Sequence, residues 1–278
     1  MSEVSEQPQA LPPGPDRWRR NREHWRGNLD TRNLDSGGAP VSLERELALY
    51  QTADITAALN HLRPAGRAGA VLDLGGGLGL MAILLAREGA RVVIADLSLP
   101  RLKEARKLAL AAGVGELITF VNCVAEELPF ANRAFHGETA KSVLIHTDLP
   151  RAAAELDRVL REDGAAFLIE PLKGNPFARA YRRLAAPKVW QEITSYFDDE
   201  SCRTLSKPFA RSGRKLGSDR RYFLAFLATP LNYILRMPRL YRIAETALLA
   251  VDAAVAKLIP YARRGMWFVY IRIEPGKR

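Results

Sequence analysis

The sequence contains little cysteine. Of its 278 residues only two are cysteines, Cys123 and Cys202, and they are too far apart in the chain to have the ligand spacing of a zinc site. The composition therefore predicts neither a disulfide framework nor a zinc centre. A chain of this kind is typical of a reducing compartment, so we expect a cytoplasmic protein.

Long apolar runs are also lacking. The most apolar stretches, residues 222–235 and 243–259, are interrupted by Pro230 and Asn232 and by charged residues such as Glu245. A helix that spans a bilayer needs about 20 consecutive apolar residues, so we expect no transmembrane segment, although association with a membrane surface stays open. The first residues are acidic and proline-rich without an apolar run, which predicts a disordered tail over residues 1–20 and no secretory signal.

Positive charge is abundant, and the formal net charge is +10. Basic residues are densest at positions 17–26, 179–183 and 203–221. Such an excess is compatible with a solvated basic surface, with nucleic acid, with an anionic lipid surface or with a phosphorylated small substrate. Charge alone does not choose among these partners.

Hydrophobic periodicity indicates an alternation of strands and helices. A helix is predicted over residues 41–63 and ended by Pro64, and strands are predicted at 70–74, 91–95, 118–124, 141–145 and 165–169, with helices at 80–88, 100–112 and 150–161 between them. Strands separated by helices form βαβ units and a parallel sheet, so the expected fold is a doubly wound α/β domain.

The chain beyond the fifth predicted strand has a different pattern. A helix is predicted from about Asn175 to Leu184, followed by a less regular region, two apolar helical stretches over 221–259 and a strand at 266–273. The predicted organisation is a tail (1–20), an N-terminal helical arm or lid (21–66), a cofactor-binding core (67–174), and acceptor-pocket helices with the final strand or strands of the same sheet (175–278).

A glycine-rich turn follows the first predicted strand. It contains Asp73, Gly75, Gly77 and Gly79 in the spacing D-x-G-x-G-x-G, which differs from the dinucleotide pattern G-x-G-x-x-G. Glycines let the backbone turn tightly and approach a ligand, and the crevice at the carboxyl ends of parallel strands is where such folds bind ligands. The acid beside the turn would repel a pyrophosphate but suits a cationic aminoacyl sulfonium ligand.

Two more acids end the following strands. Asp96, with Leu97 after it, closes the second strand, where a carboxylate can accept both hydroxyls of a ribose. Ala125 and Glu126 follow the third strand, where the edge of an adenine would lie. Together with the glycine turn, these residues closely resemble the class I S-adenosylmethionine-dependent methyltransferases over residues 67–172. The resemblance implies a seven-stranded, mostly parallel sheet and S-adenosylmethionine bound by these residues. The sequence departs from the family pattern at Phe135-His136, where Phe-Asp is usual.

Candidate acceptor residues lie at the ends of the fourth and fifth strands. Glu170 ends the fifth strand among apolar residues, where desolvation would raise its proton affinity and suit a general base. The alternative for Glu170 is a structural cap on the following helix. His146 ends the predicted fourth strand and is a second candidate, although a lone histidine is more often a hydrogen-bonded scaffold residue.

Aromatic and basic residues are interleaved after Pro171. This mixture fits an apolar tail with an anionic head, since aromatic faces stabilise cations and arginines bind phosphates. The segment Glu170-Pro-Leu-x-x-Asn-Pro and the arginine-rich helix after it resemble the bacterial prenyl-pyrophosphate C-methyltransferases, the geranyl pyrophosphate C6-methyltransferase type found in benzastatin biosynthesis. The resemblance implies a Mg²⁺-dependent reaction in which the C6=C7 alkene attacks the sulfonium methyl group and Glu170 then removes the C6 proton.

The resemblance also indicates residues for the acceptor. We expect substrate contacts from His146, Lys173, Arg182, Phe209 and Ala210. Alanine at position 210 replaces an expected bulky aromatic residue, which would leave room for farnesyl pyrophosphate if that side chain formed the pocket floor. Neither the metal ligands nor the oligomeric state follows from the sequence.

Two other functions stay open. One is a methyltransferase for another hydrophobic small molecule, such as a polyketide, quinone or lipid. The other is a non-catalytic module that binds RNA or a membrane, although the motifs of nucleic-acid methyltransferases are missing and we expect no nucleic-acid partner.

Overall fold

The computed structural model describes residues 15–26, 43–184, 186 and 193–276. The predicted tail up to residue 14 lies outside the described residues, as do Lys188 and Trp190 of the aromatic and basic mixture. Residues 15–20, predicted to belong to the disordered tail, form the first turns of a helix instead. Pro15 is compatible with this helix because proline is tolerated at the first helical position, where no amide hydrogen bond is lost.

The described elements alternate as the periodicity indicates. The helices are α1 (Pro15–Arg26), α2 (Leu43–Tyr50), α3 (Ala53–Ala68), α4 (Leu80–Arg87), α5 (Leu99–Ala111), α6 (Leu149–Val159), α7 (Pro176–Leu184), α8 (Asp199–Arg211), α9 (Thr229–Tyr233) and α10 (Pro238–Leu258). The strands are β1 (Val71–Leu74), β2 (Val92–Asp96), β3 (Ile118–Asn122), β4 (Phe135–Lys141), β5 (Leu160–Pro171), β6 (Lys215–Arg221) and β7 (Phe268–Glu274).

Seven described strands form one sheet in the order β3-β2-β1-β4-β5-β7-β6. The first five pair in parallel, and β7 runs antiparallel to both β5 and β6. One core cluster packs between the sheet and α3, α4 and α5, and a second packs between the sheet and α6 and α8. The doubly wound, mostly parallel fold expected from the sequence is confirmed.

Chain order reverses between β1 and β4, so the carboxyl ends of β1, β2 and β4 open onto one crevice. In an open α/β sheet this reversal is where ligands bind. The register pairs Asp73 of β1 with Ile94 of β2 and with Thr139 of β4, which brings the residues after these strands together.

The helical segment before β7 is attached to the core by two buried carboxylates of α10. Glu245 accepts hydrogen bonds from the hydroxyls of Tyr222 (2.5 Å) and Tyr241 (2.7 Å), and from the backbone N–H of Ala53. Asp252 accepts backbone N–H bonds from residues 223–225. Because a buried acceptor without donors is costly, these bonds fix which face of α10 turns inward.

Two predicted boundaries are wrong, and two elements were not predicted. Helix α3 continues through Pro64 to Ala68, because burial of Leu62 and Ala65 on either side of the proline holds the helix together. The fourth strand covers residues 135–141 rather than 141–145, and the apolar residues Leu144 and Ile145 belong to a 3₁₀ turn. Strand β6 and helix α8 were not predicted, since both are rich in polar residues.

Candidate functional site

A cavity of about 540 Å³ opens at the carboxyl ends of β1, β2 and β4. One part of its wall consists of the glycine turn and the acids that follow the strands. The opposite part comes from α2, the end of β4, α7, residues 226–236 and the start of β7, and the second half of α1 completes the wall. The residues predicted to bind the cofactor and those predicted to bind the acceptor can therefore be compared on one surface.

The glycine turn lies on the cavity wall through Gly75 and Gly77. Both adopt positive φ, +63° and +55°, which side-chain-bearing residues rarely adopt. A Cβ on Gly75 would stand 2.3 Å from Val143, whereas a Cβ on Gly77 would meet only the end of Arg101, at 3.5 Å. Gly75 thus permits close packing of the turn, and Gly77 leaves space on the cavity side.

Gly79 is not on the cavity wall. It precedes α4, and a Cβ there would lie 2.9 Å from Ile94 and 3.3 Å from Ala105. The prediction that Gly79 contacts the cofactor is therefore wrong: this glycine lets α4 pack closely against β2 and α5.

Asp73 lies beneath the turn and lines the cavity, 4% exposed. Its Oδ2 has no hydrogen-bond partner among the described residues. Burial, followed by the negative charge of Asp96, raises the pKa of Asp73 to about 7. A cationic ligand in the cavity would reverse this effect, so the free oxygen fits the ammonium group of an aminoacyl ligand.

Asp96 joins the end of β2 to the glycine turn. Its Oδ2 accepts the N–H of Gly77 at 2.9 Å, and its Oδ1 accepts the N–H of Ser98 at 2.7 Å. Burial raises the pKa of Asp96, and these two N–H bonds act in the opposite direction. Since each carboxylate oxygen can accept more than one bond, Asp96 keeps capacity for two ribose hydroxyls.

The predicted adenine end is also on this wall, where Leu97, Ala125 and Glu126 line the cavity. Glu126 is 8% exposed, and its Oε1 accepts the N–H of Asp148 at the start of α6 at 2.9 Å. With Asp73 and Asp96 it surrounds this end of the cavity with carboxylates, which favour a cationic ligand rich in hydroxyl and amino donors.

Helix α1 covers the same end of the cavity. The Trp25 ring lies 5.1 Å from the ring of His146, and the Arg101 guanidinium lies over the Trp25 ring at 5.0 Å. Asn21, one turn earlier, donates a hydrogen bond to the carbonyl of Ile193 at 2.6 Å. Asn21, Trp25 and His146 all line the cavity. His146 therefore lies near the predicted cofactor residues.

Glu170 is fully buried and is not among the residues that line the cavity. Its carboxylate accepts backbone N–H bonds from Val143 (3.1 Å), Leu144 (2.9 Å) and Ile145 (3.4 Å). Burial raises the pKa of Glu170 to about 8, against the opposing effect of these bonds. The geometry makes Glu170 a positioning residue for the turn that carries Val143, Ile145 and His146, and its use as a base stays a prediction.

The opposite wall combines aromatic rings with paired cations. Lys141, at the end of β4, forms an ion pair with Asp54 at 2.9 Å, and its ammonium lies 5.3 Å from the ring of Tyr50. Arg236 pairs with Glu46 of α2. These residues were not predicted. Lys141 was placed at the start of the predicted fourth strand, whereas it is the last residue of β4. The aromatic members of the wall are Tyr50, Tyr181, Tyr196, Phe226, Trp267 and Phe268.

Of the predicted acceptor residues, Arg182 lies on this wall, whereas His146 lines the cavity near the predicted cofactor residues. Its guanidinium stacks on the Tyr196 ring at 3.5 Å and donates to the carbonyl of Leu172 at 3.0 Å. Burial lowers the pKa of the Arg182 guanidinium. Within the described ranges it has no carboxylate partner, so it is suited to an anionic group of a ligand.

The other three predicted acceptor residues do not line the cavity, so these predictions are wrong. Lys173 is exposed and pairs with Asp198 at 2.6 Å. Phe209 is fully buried in the core between α8 and α6, away from the cavity. Ala210 is exposed to solvent, because consecutive helical residues point about 100° apart. Residue 210 therefore does not form a pocket floor.

The described residues contain no group of three or more histidine, cysteine, aspartate or glutamate side chains that could hold a metal ion. Glu46 on the acceptor wall is paired with Arg236, and Asp54, which does not line the cavity, is paired with Lys141. These residues do not by themselves form a magnesium site. The Mg²⁺ requirement implied by the resemblance stays a prediction.

The fold and this arrangement of residues define the class to which the chain is similar. Residues 72–168 match the family model described as "Methyltransferase domain". The seven-stranded, mostly parallel sheet is that of the class I S-adenosylmethionine-dependent methyltransferases.

Particular relatives cover different parts of the chain. The ubiquinone/menaquinone biosynthesis C-methyltransferase UbiE of Zymomonas mobilis is 31% identical over 147 residues, which cover 51% of this chain and 60% of that protein. The alignment thus spans about three fifths of that relative's length.

Two solved structures share the fold over more of the chain. Geranyl diphosphate C-methyltransferase from Streptomyces coelicolor A3(2) has a TM-score of 0.60 at 16% identity and covers 95% of this chain and 100% of its own. The [4+2]-cyclase SpnF has a TM-score of 0.54 at 20% identity and covers 82% of each chain. At these identities the likeness concerns the fold, and function has to be argued from the cavity.

Among the described residues, no helix has the length and apolar character required to cross a membrane.

Proposed function

We propose that this chain is an S-adenosylmethionine-dependent C-methyltransferase that methylates a prenyl pyrophosphate. The observation that carries the proposal is the single cavity whose carboxylate end faces an aromatic end containing the unneutralised guanidinium of Arg182. A cationic methyl donor suits the first end, and an apolar chain with an anionic head suits the second.

S-adenosylmethionine, when bound, supplies an electrophilic methyl group on a sulfonium. In the proposal Asp73 and the turn at Gly75 and Gly77 hold its aminoacyl end. Asp96 accepts the ribose hydroxyls, and Glu126, with Leu97 and Ala125, lies at the adenine. Asp73 and Asp96 are already desolvated and fixed by the backbone, so binding requires little rearrangement of these groups.

The acceptor is proposed to lie across the aromatic wall. Arg182 binds its anionic head, while the rings contact the apolar chain. Phe226, Trp267 and Phe268 form a connected set, with ring centroids 4.7 Å apart for the first two and 4.4 Å apart for the last two. Aromatic faces attract a positive charge, so they can stabilise the carbocation that forms when the alkene takes the methyl group. The methylated carbon then loses its proton, for which Glu170 is the predicted acceptor, and the alkene is restored.

Exclusion of water is the proposed role of the N-terminal arm. A carbocation is captured readily by water, so a cover over the reacting atoms protects it. Trp25 of α1, stacked between His146 and Arg101, covers the cofactor end of the cavity in the described structure. This supports the proposal that α1 acts as a lid.

A second candidate is methylation of a quinone precursor. It is favoured by the UbiE relative, whose similarity, 31% identity over 147 residues, is to a C-methyltransferase of ubiquinone and menaquinone biosynthesis. A prenylated ring would also use the aromatic wall. It would not need the charge of Arg182, which is why the pyrophosphate acceptor is placed first.

The test is an acceptor panel. The full chain is incubated with methyl-labelled S-adenosylmethionine and, separately, geranyl pyrophosphate, farnesyl pyrophosphate, geraniol and a prenylated quinol, each with and without Mg²⁺. The proposal expects transfer to a pyrophosphate and much slower transfer to geraniol. Preference for the quinol would establish the second candidate. Cofactor binding without transfer to any acceptor would contradict both. It would leave a methyltransferase for another hydrophobic small molecule, such as a polyketide or lipid, or the non-catalytic binding module.

A further inference from the structure

The segment before β7 exposes many large apolar side chains. In the segment from Ile234 to Tyr261, which includes α10, the following are at least 43% exposed: Ile234, Leu235, Met237, Leu240, Ile243, Val251, Leu258, Ile259 and Tyr261. We call these residues the α10 outer face. Contiguous exposed apolar patches on this scale mark contact surfaces rather than ordinary solvated protein.

Helical spacing explains how α10 carries this face. Leu240, Ile243, Val251 and Leu258 recur at positions that share one side of the helix, separated from the side that packs on the core. The core side carries Tyr241, Glu245 and Asp252, all at most 3% exposed. The core side also packs Leu248 and Leu249 against the apolar core, whereas the described part of the chain leaves the apolar outer side of α10 exposed.

Charge is segregated on the same segment. Its only acidic residues between 225 and 265 are Glu245 and Asp252, and both turn inward to the hydrogen bonds that attach α10 to the core. The exposed charged residues are all cations: Arg239, Arg242, Lys257, Arg263 and Arg264. An apolar face beside a purely basic one is the pattern of helices that lie in a membrane interface.

We propose that the α10 outer face binds the surface of a bilayer containing anionic lipids. The charge pattern favours this occupant over a second copy of the chain, because two such faces would bring like charges together. It also favours a bilayer over nucleic acid, which would use the cations but leave the apolar residues in water. The inference does not depend on the proposed acceptor.

The position of the face relative to the cavity gives the binding a use. Asn232 and Arg236 line the cavity, while Ile234, Leu235 and Met237 beside them are exposed. This short segment therefore separates the acceptor end of the cavity from the outer face. A bilayer bound there would lie next to the wall that an apolar acceptor has to pass.

The experiment is flotation of the full chain with vesicles of phosphatidylcholine alone, or of phosphatidylcholine mixed with phosphatidylglycerol. We expect binding to the mixed vesicles that weakens with added salt. The Ile243→Ser variant should bind at least about tenfold more weakly, since it loses an inserted side chain. The Arg239→Gln/Arg242→Gln variant should bind about 25-fold more weakly, at about fivefold per cation near an anionic surface.

Matched controls come from α5. Leu110 is 58% exposed and Arg106 is exposed. Both lie on α5, which connects β2 to the edge strand β3, whereas α10 lies in the chain between β6 and β7, the two strands at the other edge of the sheet. Leu110→Ser and Arg106→Gln should leave vesicle binding within about twofold of the parent. All variants should unfold at the parent's temperature, because none of the changed side chains is buried.

Three results would overturn the proposal. One is the absence of binding to the mixed vesicles. Another is a dimer in solution that Ile243→Ser dissociates, which would assign the face to a second copy. The third is binding to a DNA or RNA duplex that resists Ile243→Ser and competes with the vesicles, which would assign the cations to nucleic acid.

Discussion

Arg182 gives the sharpest test of how the acceptor is recognised. Replacement by Gln keeps a hydrogen-bonding side chain near Leu172 but removes the charge and the stacking on Tyr196, at 3.5 Å. A hydrogen bond to a charged group contributes about 1.5–3 kcal/mol. Its loss therefore predicts a KM for geranyl pyrophosphate about 10- to 150-fold higher, from the usual relation of free energy to affinity.

The assay is initial-rate methyl transfer at saturating cofactor. Because the head group is bound equally in the ground and transition states, kcat should change little. Lys173→Gln is the matched control: Lys173 is exposed, paired with Asp198 and absent from the cavity wall, so its KM should stay within about twofold. An unchanged KM in Arg182→Gln, or an equal rise in Lys173→Gln, would refute the assignment of the anionic head to Arg182.

Four other substitutions test the glycine turn, a buried carboxyl of β4 and the role of Glu170. Gly77→Ala should fold but bind S-adenosylhomocysteine more weakly in calorimetry, because φ of +55° costs about 1–2 kcal/mol and the new methyl group has open space only toward the cavity. Gly75→Ala should also lose thermal stability, because its Cβ would stand 2.3 Å from Val143. Equal melting temperatures of the two variants would contradict this difference between the glycines. Glu138→Met should raise the free energy of unfolding by about 1–3 kcal/mol in urea titrations, since both oxygens of this fully buried carboxyl lack partners among the described residues. Burial raises the pKa of Glu138, so the folded parent keeps the proton while the unfolded chain loses it above about pH 4.3. The gain in the free energy of unfolding of Glu138→Met over the parent should therefore grow as pH rises. A variant less stable than the parent would show that the carboxyl has a partner. Glu170→Gln should melt at a lower temperature, because one of the amide bonds to the 143–145 turn is lost. Loss of methyl transfer with an intact fold would identify Glu170 as the base, whereas transfer kept within about tenfold would leave it as a positioning residue only.

The sheet and the cofactor end could be predicted because local signals carry them. A buried strand followed by glycines at positive φ, and acids directly after the next two strands, place Asp73, Gly77 and Asp96 in one crevice whatever the rest of the chain does. Gly79 was misassigned because the sequence pattern does not distinguish a glycine needed for ligand contact from one needed for helix packing. Only the distances to Ile94 and Ala105 make that distinction.

The acceptor end could not be predicted in the same way, because its wall is assembled from distant segments. Lys141 faces the cavity only because β4 ends there, and β4 was misplaced since buried polar residues such as Glu138 do not have the apolar signature of a central strand. Phe209 was expected in the pocket by analogy, but which side of a helix faces the cavity depends on its packing, and α8 packs on α6. Arg182 does line the cavity, and its role in binding the acceptor stays a prediction.

The central claim is that this cavity transfers a methyl group from S-adenosylmethionine to carbon. The most direct measurement is mass spectrometry and NMR of the product formed from S-adenosylmethionine carrying a deuterated methyl group and geranyl pyrophosphate, with the purified full chain. We expect a product that has gained one intact deuterated methyl group on carbon and keeps its pyrophosphate. Unchanged geranyl pyrophosphate, recovered from a chain that binds S-adenosylhomocysteine, would contradict the proposed acceptor.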